Sequence, residues 1–125
     1  MIRPLFGRYQ AWYGHGMWPV LSLPAAEQER DKLPGNERAA LYNAVRKLES
    51  IGPNLGHPHT SAVKAAAGLW ELRPRAGRSP WRALYRQAGA KFVIAAIGPE
   101  AEHDPRGFRA ACDAAQARLA ELEEE

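Results

Sequence analysis

Between Gly68 and Ile97 the chain holds three short apolar segments, parted by turns too brief to carry a crossover helix. They are Gly68–Pro74 (GLWELRP), Trp81–Gln87 (WRALYRQ) and Lys91–Ile97 (KFVIAAI), the last reading as the most buried. Parallel strands need a dozen or more connecting residues, so strands this closely spaced must run antiparallel. Ala76–Ser79 and Ala88–Ala90 are the expected turns of a three-stranded meander.

The flanking sequence supplies the helices. Met17–Leu23 (MWPVLSL) reads as a short strand, with Pro19 favouring an edge position. Pro24 opens a helix to about Lys32, and Pro34-Gly35 breaks it. Asn36 can cap a second helix, in which Leu41, Ala44, Val45, Leu48 and Ile51 fall on one stripe. Gly52-Pro53 ends that helix, and Pro53–His59 reads as a loop. Asp104-Pro105 is a strong helix start, followed by a core-facing stripe of Phe108, Ala111, Cys112, Ala115, Leu119 and Leu122. The expected order is strand, two helices, three-stranded meander and C-terminal helix. That is an α+β domain over residues 17–125, preceded by an extension, residues 1–16, with no clear period.

At 46% hydrophobic and 25% charged, the composition is that of a globular domain with one core. No apolar run suits a signal peptide or a membrane span, and the lone Cys112 permits no internal disulfide, so a cytoplasmic setting is expected. Charge is unevenly placed. Residues 1–99 hold 14 Lys/Arg against 6 Asp/Glu, net +8, whereas residues 100–125 hold 3 against 8, net −5. A basic body points to an anionic partner, with nucleic acid the leading class.

The densest positive charge lies on the hairpin: Arg73, Arg75, Arg78, Arg82 and Arg86, with Glu71 as the one acid. Strand side chains alternate. If Arg75 pairs opposite Pro80, Arg73 lies opposite Arg82, and four arginines share a face; a slip of one residue would split them. Like charges opposite one another destabilise a sheet, so such a face suits an anion. Arginine's planar fork gives phosphate two hydrogen bonds at once.

Several segments in a fixed order carry a family resemblance. Leu48–Pro58 (LESIGPNLGHP), Val63-Lys64, Leu69–Arg73 (LWELR) and Trp81–Tyr85 (WRALY) resemble RelE/HigB-type toxins of bacterial toxin–antitoxin pairs, notably their phage-derived-protein branch. The likeness spans about residues 17–122. It implies a RelE-like antiparallel sheet with packed helices, and a ribosome-dependent mRNA endonuclease that inhibits translation and is held in check by a cognate antitoxin, expected to be a helix-turn-helix protein. The implied chemistry uses no metal or other cofactor: the RNA 2′-hydroxyl attacks the adjacent phosphate, a basic group takes its proton, arginines hold the developing charge and an acid serves the leaving oxygen.

By the same resemblance Arg73 and Arg82 clamp the scissile phosphate. Lys64 contacts mRNA or ribosomal RNA, and Arg75, Arg78 and Arg86 extend the RNA surface. Tyr85 either stacks on a base or packs in the sheet. The chain departs from the pattern where relatives carry a lysine or arginine after the last strand, since Gly98–Glu102 is acidic, and where some place a catalytic tyrosine, since Phe108 stands there. His103 is the candidate replacement acid or base, with His57 and His59 as further candidates. The histidines lack metal-ligand spacing, and neither a Gly-rich phosphate loop nor a nucleophile elbow is present. Two other functions share this sequence pattern: a non-catalytic, ParE-like binder of gyrase, and a decayed toxin that only binds its antitoxin.

Overall fold

The computed structural model describes residues 11–12 and 17–123. Of the extension, Ala11–Trp12 forms a two-residue strand, β1; Phe6, Tyr9 and Tyr13 lie outside the described residues, as do Glu124 and Glu125. There follow β2 (Val20–Ser22), α1 (Pro24–Asp31), α2 (Gly35–Ile51), β3 (Thr60–Ala62), β4 (Trp70–Leu72), β5 (Trp81–Ala88), β6 (Lys91–Pro99) and α3 (Pro105–Glu123). The strands form one sheet in the order β1-β2-β6-β5-β4-β3. The meander β4-β5-β6 is antiparallel as expected, but β2 runs parallel to β6, which makes the sheet mixed. The α+β class and the C-terminal helix agree with the sequence, and the architecture is compatible with a RelE-like fold.

Alternation along β6 explains the two cores. Val93 and Ala95 point to one face, where Leu84, Ala111, Cys112, Ala115 and Leu119 pack. Phe92 and Ile94 point to the other, against Leu41, Val45 and Leu48 of α2. Thus α3 covers one face while α1 and α2 cover the other. Ile51 leaves the expected stripe and is 46% exposed, because the chain turns at Gly52 and Leu55 supplies the next buried contact.

Local chemistry sets the helix ends. Asp104 caps α3 through Gly107 N–H donating to its Oδ1 at 2.9 Å. The α2 cap differs from the sequence reading: extended Pro34 precedes the helix and its carbonyl accepts from Glu37 N, so Asn36 falls inside the first turn. Gly52 ends α2 at φ 73°, ψ −144°, a region open essentially to glycine, and its bare Cα lies beneath the Trp18 indole. Two features were not expected. β3 is three residues long with no alternation to announce it, and Pro19 leads into a strand flanked on both sides rather than an edge strand.

Beyond Ile94, β6 outruns β2 and loses its ladder partner. Side chains replace it: Ile97 N–H donates to Glu29 Oε1 at 3.0 Å, and Arg118 Nη1 donates to Ala95 O at 2.8 Å. Arg118 also pairs with Glu29 at 2.9 Å, joining α3 to α1. Close packing at Gly98 is equally specific, because a Cβ there would overlap the Ala111 Cβ of α3. Gly98→Ala is expected to cost about 1–3 kcal/mol in a denaturant melt, the usual penalty of overpacking.

Candidate functional site

The β4–β5 register is Trp70↔Tyr85, Glu71↔Leu84 and Leu72↔Ala83, and the same register extended places Arg73 opposite Arg82. The four-arginine face nevertheless does not form. β4 ends at Leu72, and Arg75 and Ala76 take left-handed backbone angles, φ 54° and 55°. That turn carries Arg75 to α2, where it pairs with Glu37 at 2.8 Å and donates to Asn36 O at 3.1 Å. Arg86 pairs with Glu123 at 2.9 Å. Arg78 is exposed, its Nε donating to Arg75 O.

Arg82 is 2% exposed and fully engaged. Its Nε donates to Glu71 Oε1 at 3.0 Å, and Nη1 to the carbonyls of Ser79 and Trp81 at 2.7 and 2.9 Å. Nη2 donates to Gly77 O at 3.2 Å and to Glu100 Oε2 at 3.3 Å. Burial first, and then the charge of Arg73, lower its pKa from the usual arginine value, while Glu71 and Glu100 oppose the shift. The acidic residue after the last strand is therefore a partner for this guanidinium. Arg82 ties the hairpin turn, β4 and the end of β6 together.

Arg73 is different. Its N–H continues the β3–β4 ladder, donating to His59 O at 2.8 Å. Its side-chain Nε is buried without an acceptor. Arg73 is one of the residues lining a cavity of about 390 Å³ between α2 and the sheet edge, together with Lys47, His59, Asn43 and Asn36, while its guanidinium lies against Gly77 and its charge bears on Arg82. Positions 36, 43 and 47 share one stripe of α2, beside the buried Ala40 and Ala44. A buried guanidinium nitrogen without an acceptor, in a residue that lines a cavity with a second cation in its lining, is a combination suited to an oxyanion. The Glu37 clamp shapes one wall of this cavity. Arg75 and the Ser79 hydroxyl (2.7 Å) both donate to Glu37, and these bonds, the Arg75 one foremost, lower its carboxyl below the usual glutamate value.

A lowered folded-state pKa means that the clamp stabilises the fold fully above the unfolded value, about 4.3, and less as pH falls through the folded one. Glu37→Gln is expected to be less stable than wild type at neutral pH, with the gap closing below about pH 4. Denaturant melts at stepped pH check this.

The other candidates are scattered. His103 is exposed in the turn before α3, and among the described residues no hydrogen bond or ion pair links it to Arg73 or Arg82. His57 is exposed and outside the cavity, so of the loop histidines only His59 reaches Arg73. Lys64 is exposed on the opposite side, lining a groove of about 540 Å³ with Glu71, Phe108 and Arg109. Tyr85 is buried, its hydroxyl 2.6 Å from Thr60 Oγ1, and its ring meets Phe92 edge-on; burial raises its pKa. It packs rather than presenting a face to a base. Burial, then the charges of Glu71 and Asp113, push the Cys112 thiol up to about 11, so it too is a packing residue. Among the described residues no group of His, Cys, Asp or Glu is placed to hold a metal ion, and no helix is long and apolar enough to cross a membrane.

Sequence reading missed Lys47, Asn36 and Asn43. Their helical spacing was visible, but nothing in it shows that Arg73 and His59 come to lie alongside.

Comparison with known families adds an independent finding. The family described as phage-derived protein Gp49-like (DUF891) matches residues 28–98, from α1 through β6 and including His59, Arg73 and Arg82. No curated protein matches the chain. Since the matched span covers more than half of the sequence, the chain belongs to the Gp49-like family of phage-derived, toxin-like proteins.

Proposed function

We propose that this protein is the toxin of a toxin–antitoxin pair and acts as a metal-independent endoribonuclease on ribosome-bound mRNA, with the Arg73 cavity as its phosphate site. The observation that carries this reading is the buried Arg73 Nε, without an acceptor, in a residue that lines a cavity together with Lys47 and His59. In this scheme Arg73 and Lys47 grip the scissile phosphate. The His59 imidazole takes the proton of the 2′-hydroxyl, whose oxygen attacks phosphorus. The bond to the 5′-oxygen breaks, that oxygen takes a proton from Lys47 or water, and the products are a 2′,3′-cyclic phosphate and a free 5′-hydroxyl. His59 thereby replaces His103, which lies apart from this cavity. Exposed Lys64 and Arg78 serve as outer contacts to ribosomal or messenger RNA. A cognate antitoxin silences the toxin by covering the basic surface with acidic or apolar residues.

The test is inducible expression followed by mapping of mRNA ends. Growth arrest with cuts inside codons is the expected result. Arrest with intact mRNA and stalled gyrase would replace this reading with the gyrase-binding one, and unrestricted growth with a soluble, folded chain would indicate a decayed toxin.

A further inference from the structure

We propose that β6 beyond Ile94 is a strand-accepting edge, closed in the single chain by the Glu29–Arg118 pair, and that the partner it fits is the same edge of a second copy. The last bond of the β2–β6 ladder runs from Leu23 N–H to Ile94 O at 3.0 Å, after which Pro24 starts α1 and the chain leaves the sheet. β6 runs on to Pro99, and among the described residues no strand flanks it on that side. Ile97 N–H bonds to Glu29, so it points away from β5. Ala95 sits at the register shift between Ile94 and Ala96, and its carbonyl turns outward to Arg118. Alternation directs Pro99 outward as well, and proline has no N–H to offer.

Glu29 Oε1 stands where a neighbouring strand's carbonyl would, and Arg118 Nη1 where its N–H would. Two bonds between the side chains, at 3.1 and 2.9 Å, join them into one cap that spans the edge from α1 to α3. Charged side chains, a bulge and a proline are the usual means of blunting an open edge, and all three meet here. Both side chains are partly exposed, so the cap can open into water without leaving a charge buried.

The uncapped edge is self-complementary. When two copies meet antiparallel about Ala96, a two-fold axis brings Ile97 N–H of each to Ala95 O of the other, the two bonds that flank a non-hydrogen-bonded pair. Side chains approach closest in such a pair, and alanine is small enough for it. Pro99 confines the pairing to this short segment, so a cap over two backbone groups suffices to prevent it.

The experiment compares the full chain with a Glu29→Ala/Arg118→Ala double variant by analytical ultracentrifugation over a range of concentrations, with hydrogen exchange at the Ile97 amide followed on the same samples. Wild type is expected to keep the mass of one chain throughout. The double variant should double its mass as concentration rises, with Ile97 N–H open in dilute solution and protected again in the dimer. Glu29→Gln/Arg118→Lys leaves an acceptor for Ile97 and a donor for Ala95, and should stay single. Should the double alanine variant not fold, Glu29→Ala alone takes its place with the same expectations, since it removes the acceptor of Ile97 and the anchor of Arg118. A folded alanine variant that keeps the mass of one chain would overturn the proposal. So would a dimer whose Ile97 amide stays open, because association then uses another surface, and so would a wild-type protein that already dimerises through Ile97, because the pair then closes nothing.

Discussion

Arg82→Ala should cost the fold about 3–5 kcal/mol, because it strands Glu71 and Glu100 beside an emptied, buried site. The guanidinium makes five hydrogen bonds, two of them to carbonyls of the turn between β4 and β5 and a third to that of Trp81 at the start of β5. Lysine cannot restore them, since its single ammonium lacks the planar fork. In a urea melt the midpoint should fall while the slope stays constant. Any loss of toxicity in this variant would then follow from unfolding. A stable Arg82→Ala protein that has lost cleavage would instead return Arg82 to the reacting phosphate.

Arg73→Ala should behave in the opposite way. Its buried Nε has no acceptor to lose, so removing the group relieves a desolvation cost and the repulsion on Arg82, offset by the packing of its aliphatic stem. Stability should change by no more than about 1 kcal/mol. Cleavage should fall by roughly 10²–10³-fold, the usual effect of deleting one donor to a developing oxyanion. Arg73→Lys should recover part of the charge effect and little of the bidentate geometry. Rates of mRNA cleavage measured beside melts of the same protein separate the two arginines. A folded Arg73→Ala variant cutting at the wild-type rate would remove this cavity from the chemistry.

The contrast between these arginines shows what could be read from the chain beforehand. β5 and β6 were legible because they are long, apolar and rich in β-formers, and the turns between segments were short enough to settle their direction. The register was only a condition in the sequence, where alternation of Trp70, Leu72, Ala83 and Tyr85 fits more than one pairing, and the structure supplies it. What could not be read was the left-handed turn at Arg75 and Ala76. Neither is glycine or asparagine, so no residue there announces the backbone angles that break up the arginine face. Glu100 misled for a related reason: in sequence it replaces an expected base, and only the fold brings it to Arg82. The cavity was half legible, through the spacing of Asn36, Asn43 and Lys47 on α2. Its other half comes from β3 and β4, brought alongside by long-range pairing.

The position of β6 has a consequence for how the protein is made. This strand is inserted between β2 and β5 and contributes Val93 and Ala95 to one core, Phe92 and Ile94 to the other. Neither hydrophobic layer can close before residues 91–99 have left the ribosome, since without β6 nothing joins the β1-β2 pair to β3-β4-β5. Closure of either layer must therefore wait until β6 has emerged, and the non-local parallel pairing with β2 slows that step further. A chain proposed to attack messages on ribosomes would stay inactive until that strand is out, an interval in which a co-expressed antitoxin can accumulate.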